Sequence, residues 1–232
     1  LVFSGKHVIP YCFDKSKVVV EVNDGDELMP GDIIGTIEGS SQYILSRERI
    51  MLNLIQRMCG IASQTREYFY LAQPYGIKIL DTRKTTPGLR LFEKYAVKCG
   101  GGFNHRLNLS DGILIKDNHI KAAGSVKKAV ESVRINNSQL KIELEVDTFG
   151  QIKEGLEMDV DGFLLDNMSP TQIQKSLKMI RSYSNKNHFV EASGGISLKN
   201  IKDYLKTKVD AISVGALTHQ VQSKDIRLEF RP

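Results

Sequence analysis

The chain has 232 residues, of which 41% are hydrophobic and 25% are charged, and its formal net charge is +5. This length accommodates one large domain, or a large and a small one, and the composition is that of a globular protein. No apolar run reaches the ~18 residues of a membrane span, no signal peptide is evident, and the dispersed basic residues argue against a nucleic-acid partner.

The first 45 residues predict short strands joined by turns. Val18–Val22 is rich in β-branched residues, and turn sequences follow at Asp24–Gly25 and Pro30–Gly31. Strand-like runs bounded by such turns are typical of hairpins. We therefore expect a small structural sub-domain at the start of the chain.

A long helix is predicted from Ser46 to about residue 73. Ser46 is a candidate N-cap, and a Pro74–Gly76 turn ends the helical pattern. Apolar residues recur at intervals of three and four at Ile50, Leu54, Met58 and Ile61. Arg49 falls on the opposite, polar side of this helix.

From residue 76 onward, short apolar strands alternate with segments of helical pattern. Strands are predicted at residues 77–80, 112–115, 141–146, 162–165, 189–192 and 211–214. This alternation indicates a parallel sheet with right-handed crossovers. A closed or partly open α/β barrel is favoured, and a doubly wound open sheet is the alternative. The predicted domains are 1–75, joined by the tail 220–232, and the barrel 76–219.

Ionisable or glycine residues follow every predicted strand of the barrel. In this fold the carboxyl ends of the strands gather the functional groups on one face. The residues at these ends are Asp81–Lys84, Lys116–His119, Glu145–Asp147, Asp166–Asn167, Ser193–Gly195 and Gly215–Ala216. Their regular placement is the strongest indication of an active site in the sequence.

The charges at these strand ends indicate what the site binds. Arg83, Lys84 and Lys116 predict an anionic ligand, because guanidinium groups pair with carboxylates and phosphates, and clustered cations repel one another otherwise. Glu145 and Asp166 could hold Mg²⁺ with phosphate and water, or accept hydrogen bonds from ribose hydroxyls. Taken singly, each could also be a solvated charge or a helix cap.

Glycines late in the barrel predict a phosphate site. Ser193, Gly194, Gly195 and Gly215 lie where this fold binds phosphate through backbone N–H groups and a helix N-terminus. Glycine allows the main chain to approach an anion closely.

The three cysteines, Cys12, Cys59 and Cys99, are widely spaced and form no Cys-x-x-Cys pair. They predict neither a disulfide framework nor a zinc site, and they favour a reducing cytoplasm. The chain begins with Leu1, and we expect that a further stretch precedes it.

These segments together closely resemble the family of nicotinate-nucleotide pyrophosphorylase (carboxylating), or quinolinate phosphoribosyltransferase, a type II phosphoribosyltransferase. The matching motifs are Ser46–Arg49, Asp81–Arg90, Gly100–Arg106, Leu114–His119, Glu143–Val146, Leu165–Asn167, Glu191–Ile196 and Ile212–His219. The resemblance covers essentially the whole chain. It implies an N-terminal α/β sandwich domain, here without its first residues, beside a partly open α/β barrel.

The resemblance also implies roles for individual residues. A cationic pocket for the quinolinate carboxylates would comprise Arg83, His105, Arg106 and Lys116, with Lys84 near the junction with phosphoribosyl pyrophosphate. Glu145 and Asp166 would address the ribose hydroxyls and Mg²⁺. The 5′-phosphate would be held by Ser193, Gly194, Gly195 and Gly215, with His219 nearby.

The family's assembly and chemistry complete these expectations. Arg49 would reach into the neighbouring subunit's site, in a homodimer or in a hexamer built from dimers. The pyridine nitrogen would attack the anomeric carbon as pyrophosphate leaves, and the 2-carboxylate would then depart as carbon dioxide. Fixed charges would supply most of the rate, with Lys84, Lys116, Glu145 and Asp166 as the catalytic residues.

Three alternatives remain open at this point. A sibling enzyme acting on nicotinate or nicotinamide would need fewer cations, because those substrates carry at most one carboxylate. A Schiff-base aldolase would use Lys84 or Lys116 as its nucleophile. A non-enzymatic anion-binding or carrier protein would release no pyrophosphate.

Overall fold

The computed structural model describes residues 1–136, 139–183 and 185–230, and the chain divides between two units. The first unit comprises Leu1–Tyr70, Lys84–Asn104 and Gly215–Pro232, and the second comprises Leu71–Arg83 and His105–Val214. Each unit is therefore assembled from separated stretches of sequence. The domain borders expected from the sequence, 1–75 with 220–232 and 76–219, stay a prediction.

The elements in chain order include both short and long segments. The strands are β1 (Lys17–Val20), β2 (Gly35–Glu38), β3 (Lys78–Leu80), β4 (Ile113–Ile115), β5 (Ile142–Val146), β6 (Gly162–Asp166), β7 (Phe189–Ser193) and β8 (Ala211–Ser213). The helices are α1 (Val8–Cys12), α2 (Ser41–Ala72), α3 (Arg90–Cys99), α4 (Asp117–Ala123), α5 (Val126–Asn136), α6 (Phe149–Glu157), α7 (Pro170–Tyr183), α8 (Ile201–Leu205) and α9 (Ala216–His219).

An antiparallel pair of strands lies in the first unit. β1 pairs with β2 in a register that runs from Lys17 opposite Glu38 to Val20 opposite Gly35. Phe3, Phe13 and Ile55 are fully buried in the apolar cluster of this unit, and Val18 and Ile37 pack against that cluster. The hairpin prediction is confirmed for the strand pair, but the short helix α1 was not foreseen.

Helix α2 begins at Ser41, five residues before the predicted start. Ser46 is therefore not the N-cap, and that prediction is wrong. Its hydroxyl instead donates to the carbonyl of Tyr43 at 2.7 Å, a common arrangement for serine inside a helix. Although α2 has 32 residues, no helix in the described part of the chain is apolar enough over its length to cross a membrane.

The second unit contains a six-stranded parallel sheet in the order β3-β8-β7-β6-β5-β4. All the strands predicted after residue 76 are present, within two residues of the expected bounds. β3 and β4 are the two edges of the sheet, and no ladder joins them in the described ranges. The prediction of a partly open α/β barrel is thus confirmed.

The two faces of this sheet differ in polarity. Side chains alternate along a strand, so Glu143 and Glu145 of β5 share one face. Parallel register places Glu145 level with Leu164 and Glu191, and Asp166 level with Ser193. The other face is apolar and buried, with Leu144, Val146, Phe163, Leu165, Val190 and Ala192. Acidic side chains therefore collect on the inner face, towards the carboxyl ends of the strands.

Candidate active site

Most of the residues predicted for the site lie at the carboxyl ends of strands in the second unit. Lys116 follows β4, Glu145 lies near the end of β5, and Asp166 and Ser193 end β6 and β7. These positions are neighbours, because β4 pairs with β5, β5 with β6, and β6 with β7. The sheet thus brings one cation, two carboxylates and a glycine-rich turn together at the carboxyl ends of its strands.

Lys116 and Glu145 form an ion pair at the carboxyl ends of β4 and β5. The Lys116 ammonium lies 2.8 Å from Glu145 Oε2, and the two side chains are 43% and 14% exposed. Lys116 is held at the N-terminus of α4, where its backbone N–H donates to His119 Nδ1 at 3.0 Å. A nucleophilic lysine requires an apolar or cation-lined setting. The carboxylate partner fits a charge-carrying lysine better than a Schiff-base nucleophile.

Two guanidinium groups act on one another in the same unit. Burial lowers the pKa of Arg106, and the positive charge of Arg83 lowers it further, while Glu143 and Glu145 act in the opposite sense. Arg106 also donates to the carbonyl of Gly112 at 3.2 Å. Two guanidinium groups that repel one another are stabilised when both bind the same anion. Arg83 and Arg106 of the predicted cationic cluster are therefore close enough to influence one another, and their role in binding an anion stays a prediction.

His105 is fixed on three sides. Its backbone N–H donates to Asp81 Oδ1 at 2.9 Å, and its Nδ1 accepts the Arg106 backbone N–H at 2.8 Å. Its Nε2 lies 3.4 Å from Glu143 Oε2 and 3.5 Å from Glu191 Oε2. Burial opposes the charged ring, but the two carboxylates outweigh it and raise the pKa of His105.

No role was predicted from the sequence for Asp81, Glu143 or Glu191, although each lies within a matching motif. A signal for Glu191 exists in the sequence, because a glutamate between Val190 and Ala192 interrupts a buried strand. Such a residue is retained inside a core only when a neighbour or a function compensates for its burial.

The turn after β7 interlocks with the end of β6. Gly194 has a φ of +93°, and a Cβ there would lie 2.3 Å from Asn167 Oδ1 and 2.7 Å from Asn167 N. The Asn167 backbone N–H donates to the Ser193 carbonyl at 2.9 Å, and its amide donates to Asp166 Oδ2 at 2.6 Å. Only glycine satisfies both the backbone conformation and the available space. The predicted phosphate turn thus has a conformation that places its main chain in close contact with β6.

We expect Gly194→Ala to destabilise the protein more than Gly124→Ala does. Gly124 has a φ of +91° but no neighbour within 4 Å, so its substitution costs only the left-handed backbone, about 1–2 kcal/mol. Gly194→Ala adds the collision with Asn167, about 1–3 kcal/mol more. Urea unfolding of both variants measures the difference, and equal losses would show that the turn yields without cost.

The other predicted residues lie in the first unit. A Cβ on Gly215 would be 3.1 Å from His219 Nε2 and 3.3 Å from Lys84 Cδ, so these three residues are close together. Thr218 Oγ1 also donates to the carbonyl of Lys84 at 2.7 Å. Arg49 is exposed on α2.

Arg57 joins three segments of the first unit, a role that the sequence did not reveal. Its Nε donates to Glu93 Oε1 at 2.8 Å. Its Nη2 donates to Thr86 Oγ1 and to the Thr218 carbonyl, both at 2.9 Å. Glu93 Oε2 accepts the Thr86 backbone N–H at 3.1 Å. This network ties the 84–89 loop to α3 and α9, and so positions Lys84 and Gly215.

Two family models match the chain, and they divide it between them. The model described as "Quinolinate phosphoribosyl transferase, N-terminal domain" matches residues 1–59, and the corresponding C-terminal domain matches residues 61–229. The chain belongs to the quinolinate phosphoribosyltransferase family. The resemblance stated from the motifs is thereby confirmed.

Individual members of the quinolinate phosphoribosyltransferase family agree with this assignment. A probable nicotinate-nucleotide pyrophosphorylase [carboxylating] of Bacillus subtilis is 42% identical over 98% of the chain and 79% of its own length. The corresponding Mycobacterium leprae protein is 43% identical over 94% of the chain and 76% of its own length. The crystal structure of the Ehrlichia chaffeensis nicotinate-nucleotide pyrophosphorylase superposes with a TM-score of 0.91 at 38% identity, covering 97% of this chain and 82% of the other.

Proposed function

We propose that the chain transfers the phosphoribosyl group of phosphoribosyl pyrophosphate to the ring nitrogen of quinolinate with decarboxylation. The products are nicotinate mononucleotide, pyrophosphate and carbon dioxide, in the de novo synthesis of NAD. The observation that carries the proposal is a set of half-buried cations, in a member of this family: Arg83 and Glu145 both act on Arg106, and Lys116 pairs with Glu145. The names of the Bacillus subtilis and Mycobacterium leprae relatives support the same activity.

Two carboxylates account for the number of cations better than one does. Nicotinate carries a single carboxylate and nicotinamide none, so either ligand would leave the Arg83 and Arg106 charges incompletely neutralised. The residues assigned to quinolinate are Arg49, Arg83, His105, Arg106 and Lys116.

Phosphoribosyl pyrophosphate needs a phosphate cradle and partners for the ribose. The interlocked turn at Gly194 and Gly195 supplies backbone N–H groups, and Asp166 ends the neighbouring strand level with Ser193. The residues assigned to this substrate are Lys84, Glu145, Asp166, Ser193, Gly194, Gly195, Gly215 and His219.

The chain would accelerate the reaction by fixed charge and position. The bond from the pyridine nitrogen to the anomeric carbon forms as the bond to pyrophosphate breaks, and positive charge develops on the sugar. Glu145 and Asp166 would stabilise this positive charge, while Lys84 and Lys116 would stabilise the anionic groups. The 2-carboxylate then leaves as carbon dioxide, because the quaternised ring stabilises the electron pair that stays on the ring carbon. That carbon takes up a proton from water.

A magnesium ion fits the carboxylates proposed to hold it. Glu145 and Asp166 are half-buried oxygen ligands, and each has one oxygen engaged, by Lys116 at 2.8 Å and by Asn167 at 2.6 Å. Mg²⁺ takes few protein ligands and several waters or phosphate oxygens, so the remaining oxygens suffice. When bound, the ion supplies neutralisation of the charge on the pyrophosphate.

A homodimer, alone or within a hexamer, is the proposed assembly, with Arg49 contributed across the interface. The first unit carries an apolar cavity of about 530 Å³, lined by residues that include Tyr11, Ile50 and Leu91. These three side chains are 87%, 59% and 68% exposed, an arrangement typical of protein interfaces. Arg49 precedes Ile50 on α2. The proposed location is the cytoplasm, in keeping with three free thiols.

Turnover of quinolinate is the direct test. The purified chain, mixed with quinolinate, phosphoribosyl pyrophosphate and Mg²⁺, should release pyrophosphate and form nicotinate mononucleotide. Replacing quinolinate by nicotinate should lower kcat/KM by about 10²-fold or more, because one carboxylate and its paired cations are lost. Equal turnover of the two would favour the sibling activity, and borohydride trapping of a covalent adduct would favour the aldolase.

A further inference from the structure

Glu191 is a fully buried carboxyl group in the middle of β7. Neither of its carboxyl oxygens makes a hydrogen bond of ordinary geometry in the described part of the chain, although the nearby Ser213 hydroxyl acts on the carboxyl group and opposes the rise of its pKa. An unsatisfied carboxylate in a protein interior is costly, so its presence requires a physical explanation. The His105 imidazole provides one, since its Nε2 lies 3.5 Å from Glu191 Oε2.

The hydrogen bonds of His105 fix where its ring proton lies. Nδ1 accepts the Arg106 backbone N–H at 2.8 Å and must therefore carry a lone pair. The hydrogen of the neutral ring is then on Nε2, where it points towards Glu143 Oε2 at 3.4 Å and Glu191 Oε2 at 3.5 Å. The surroundings thus select one tautomer from both ends of the ring.

The same three side chains have the composition of a metal site. Ligand atoms of His105, Glu143 and Glu191 all lie within 4.8 Å of one another. However, a metal-binding histidine donates its second ring N–H to an acceptor. With a metal ion on Nε2, the ring hydrogen would be on Nδ1. There it would face the Arg106 backbone N–H, so two hydrogens would point at one another. The arrangement holds a proton better than it holds a metal ion.

We propose that Glu191 is a positioning residue that acts on the dicarboxylate pocket through His105. Glu191 and Glu143 together accept the Nε2 hydrogen of His105. The Nδ1 lone pair is then available to the Arg106 backbone N–H, and this hydrogen bond fixes Arg106 beside Arg83. This inference deepens the proposed function and depends on it for the identity of the ligand. The state of the His105 ring, in contrast, can be measured without any substrate.

Glu191 performs this role as a neutral acid, and Glu143 is then the charged carboxylate that raises the pKa of His105. Burial raises the pKa of Glu191 to about 8, the charge of Glu143 adds to the rise, and His105 opposes it. Glu145, the remaining ionisable group that acts on Glu191, raises the pKa as well. A neutral carboxyl still offers its carbonyl oxygen to the Nε2 hydrogen. Glutamine has the same shape and the same acceptor, so it should replace Glu191.

The His105 tautomer is the first measurement. In long-range ¹H–¹⁵N spectra of the ligand-free protein, recorded at a pH where the ring is neutral, His105 should carry its hydrogen on Nε2, assigned by loss of the signals in His105→Gln. His188 is an internal reference of the opposite kind, because its Nδ1 lies 2.9 Å from the Val160 carbonyl and must donate. A hydrogen on Nδ1 of His105 would overturn the inference, whether or not the protein turns over quinolinate.

Two variants of Glu191 then separate positioning from general support. Glu191→Leu keeps the volume but removes the acceptor, and should raise KM for quinolinate about 10–100-fold, as when the outer partner of a ligand-binding histidine is lost. Glu191→Gln should restore KM to within about threefold of the wild type. An unchanged KM in the leucine variant, or an equal loss in both, would overturn the inference. If the leucine variant does not fold, the glutamine variant and the spectra decide.

The dependence of stability on pH provides a readout that simple packing would not change. Because the folded protein holds the Glu191 proton more tightly than the unfolded chain, the free energy of unfolding should fall as pH rises from the ordinary value of 4.5 towards about 8. Glu191→Gln should lack this component, so its stability relative to the wild type should increase over that range. Parallel pH profiles would show that Glu191 is ionised throughout and would contradict its role as a neutral acid.

Discussion

Lys116→Ala should lower kcat/KM for quinolinate by about 10²–10³-fold, the effect of removing one preorganised charge from an active site. The substitution deletes an ammonium group and also leaves Glu145, only 14% exposed, without the partner that lies at 2.8 Å in the structure. Steady-state kinetics with quinolinate as the varied substrate measure the loss. Wild-type turnover and quinolinate affinity in this variant would show that the pocket is assigned wrongly.

Lys121→Ala is the matched control, because Lys121 lies on the same helix and pairs with Asp117 at the surface, at 2.9 Å. These side chains are 75% and 50% exposed, and the pair should contribute little to activity or stability.

Lys116→Ala also tests the assembly when it is mixed with Arg49→Ala. If Arg49 serves the neighbouring subunit, random exchange should restore about a quarter of wild-type activity, since half of the dimers are mixed and each has one intact site. No recovery after subunit exchange would mean that Arg49 acts within its own subunit, and full activity of Arg49→Ala alone would mean that it has no role.

Arg57→Ala should lower the free energy of unfolding by about 3–5 kcal/mol, because it leaves a buried carboxylate without its partner. Glu93 is 1% exposed, and the closest Arg57 nitrogen lies 2.6 Å from its oxygen. The same substitution removes the hydrogen bonds to Thr86 and to the Thr218 carbonyl, so the loop that carries Lys84 loses its anchor. Urea unfolding measures the stability, and turnover should fall in the fraction that remains folded.

Lys17→Ala provides the comparison for Arg57→Ala. The Lys17–Glu38 pair lies at 3.2 Å, but its side chains are 73% and 78% exposed. An exposed pair contributes about 0–1 kcal/mol. If Arg57→Ala costs no more than Lys17→Ala, the network around Glu93 is not a structural link between the loop and α9.

The sequence predicted the second unit well because its strands are buried and short. Apolar runs such as 112–115 and 162–165 are typical of buried strands in a globular protein, and each is followed by polar residues. The regular alternation of strands and helices indicated a parallel barrel. The residues after each strand indicated that the functional groups lie at the carboxyl ends of the strands. The break between β3 and β4 is consistent with the expectation of partial closure.

Other features depended on contacts that local patterns do not contain. Ser46 has the chemistry of an N-cap, yet the helix continues before it, because Ile44 packs into the core of the first unit and extends the buried face. Arg57 resembles any polar residue on a helix until Glu93, Thr86 and Thr218 are seen around it. Glu191 belongs to a motif whose predicted role rested on Ser193, Gly194 and Gly195. Its own contact is with His105, which is 86 residues away in the sequence, so no local pattern contains it.

The division of the first unit into separate stretches determines when it can finish folding during synthesis. Arg57 donates to the Thr218 carbonyl, and Gln56 donates to the Ile226 carbonyl at 2.7 Å, so the contacts of this unit cannot all form until residue 226 has left the ribosome. The second unit ends at Val214 and has all of its strands earlier. A nascent chain stopped just after Val214 would therefore hold every strand of the barrel while α2 still exposes part of the surface that the tail later covers.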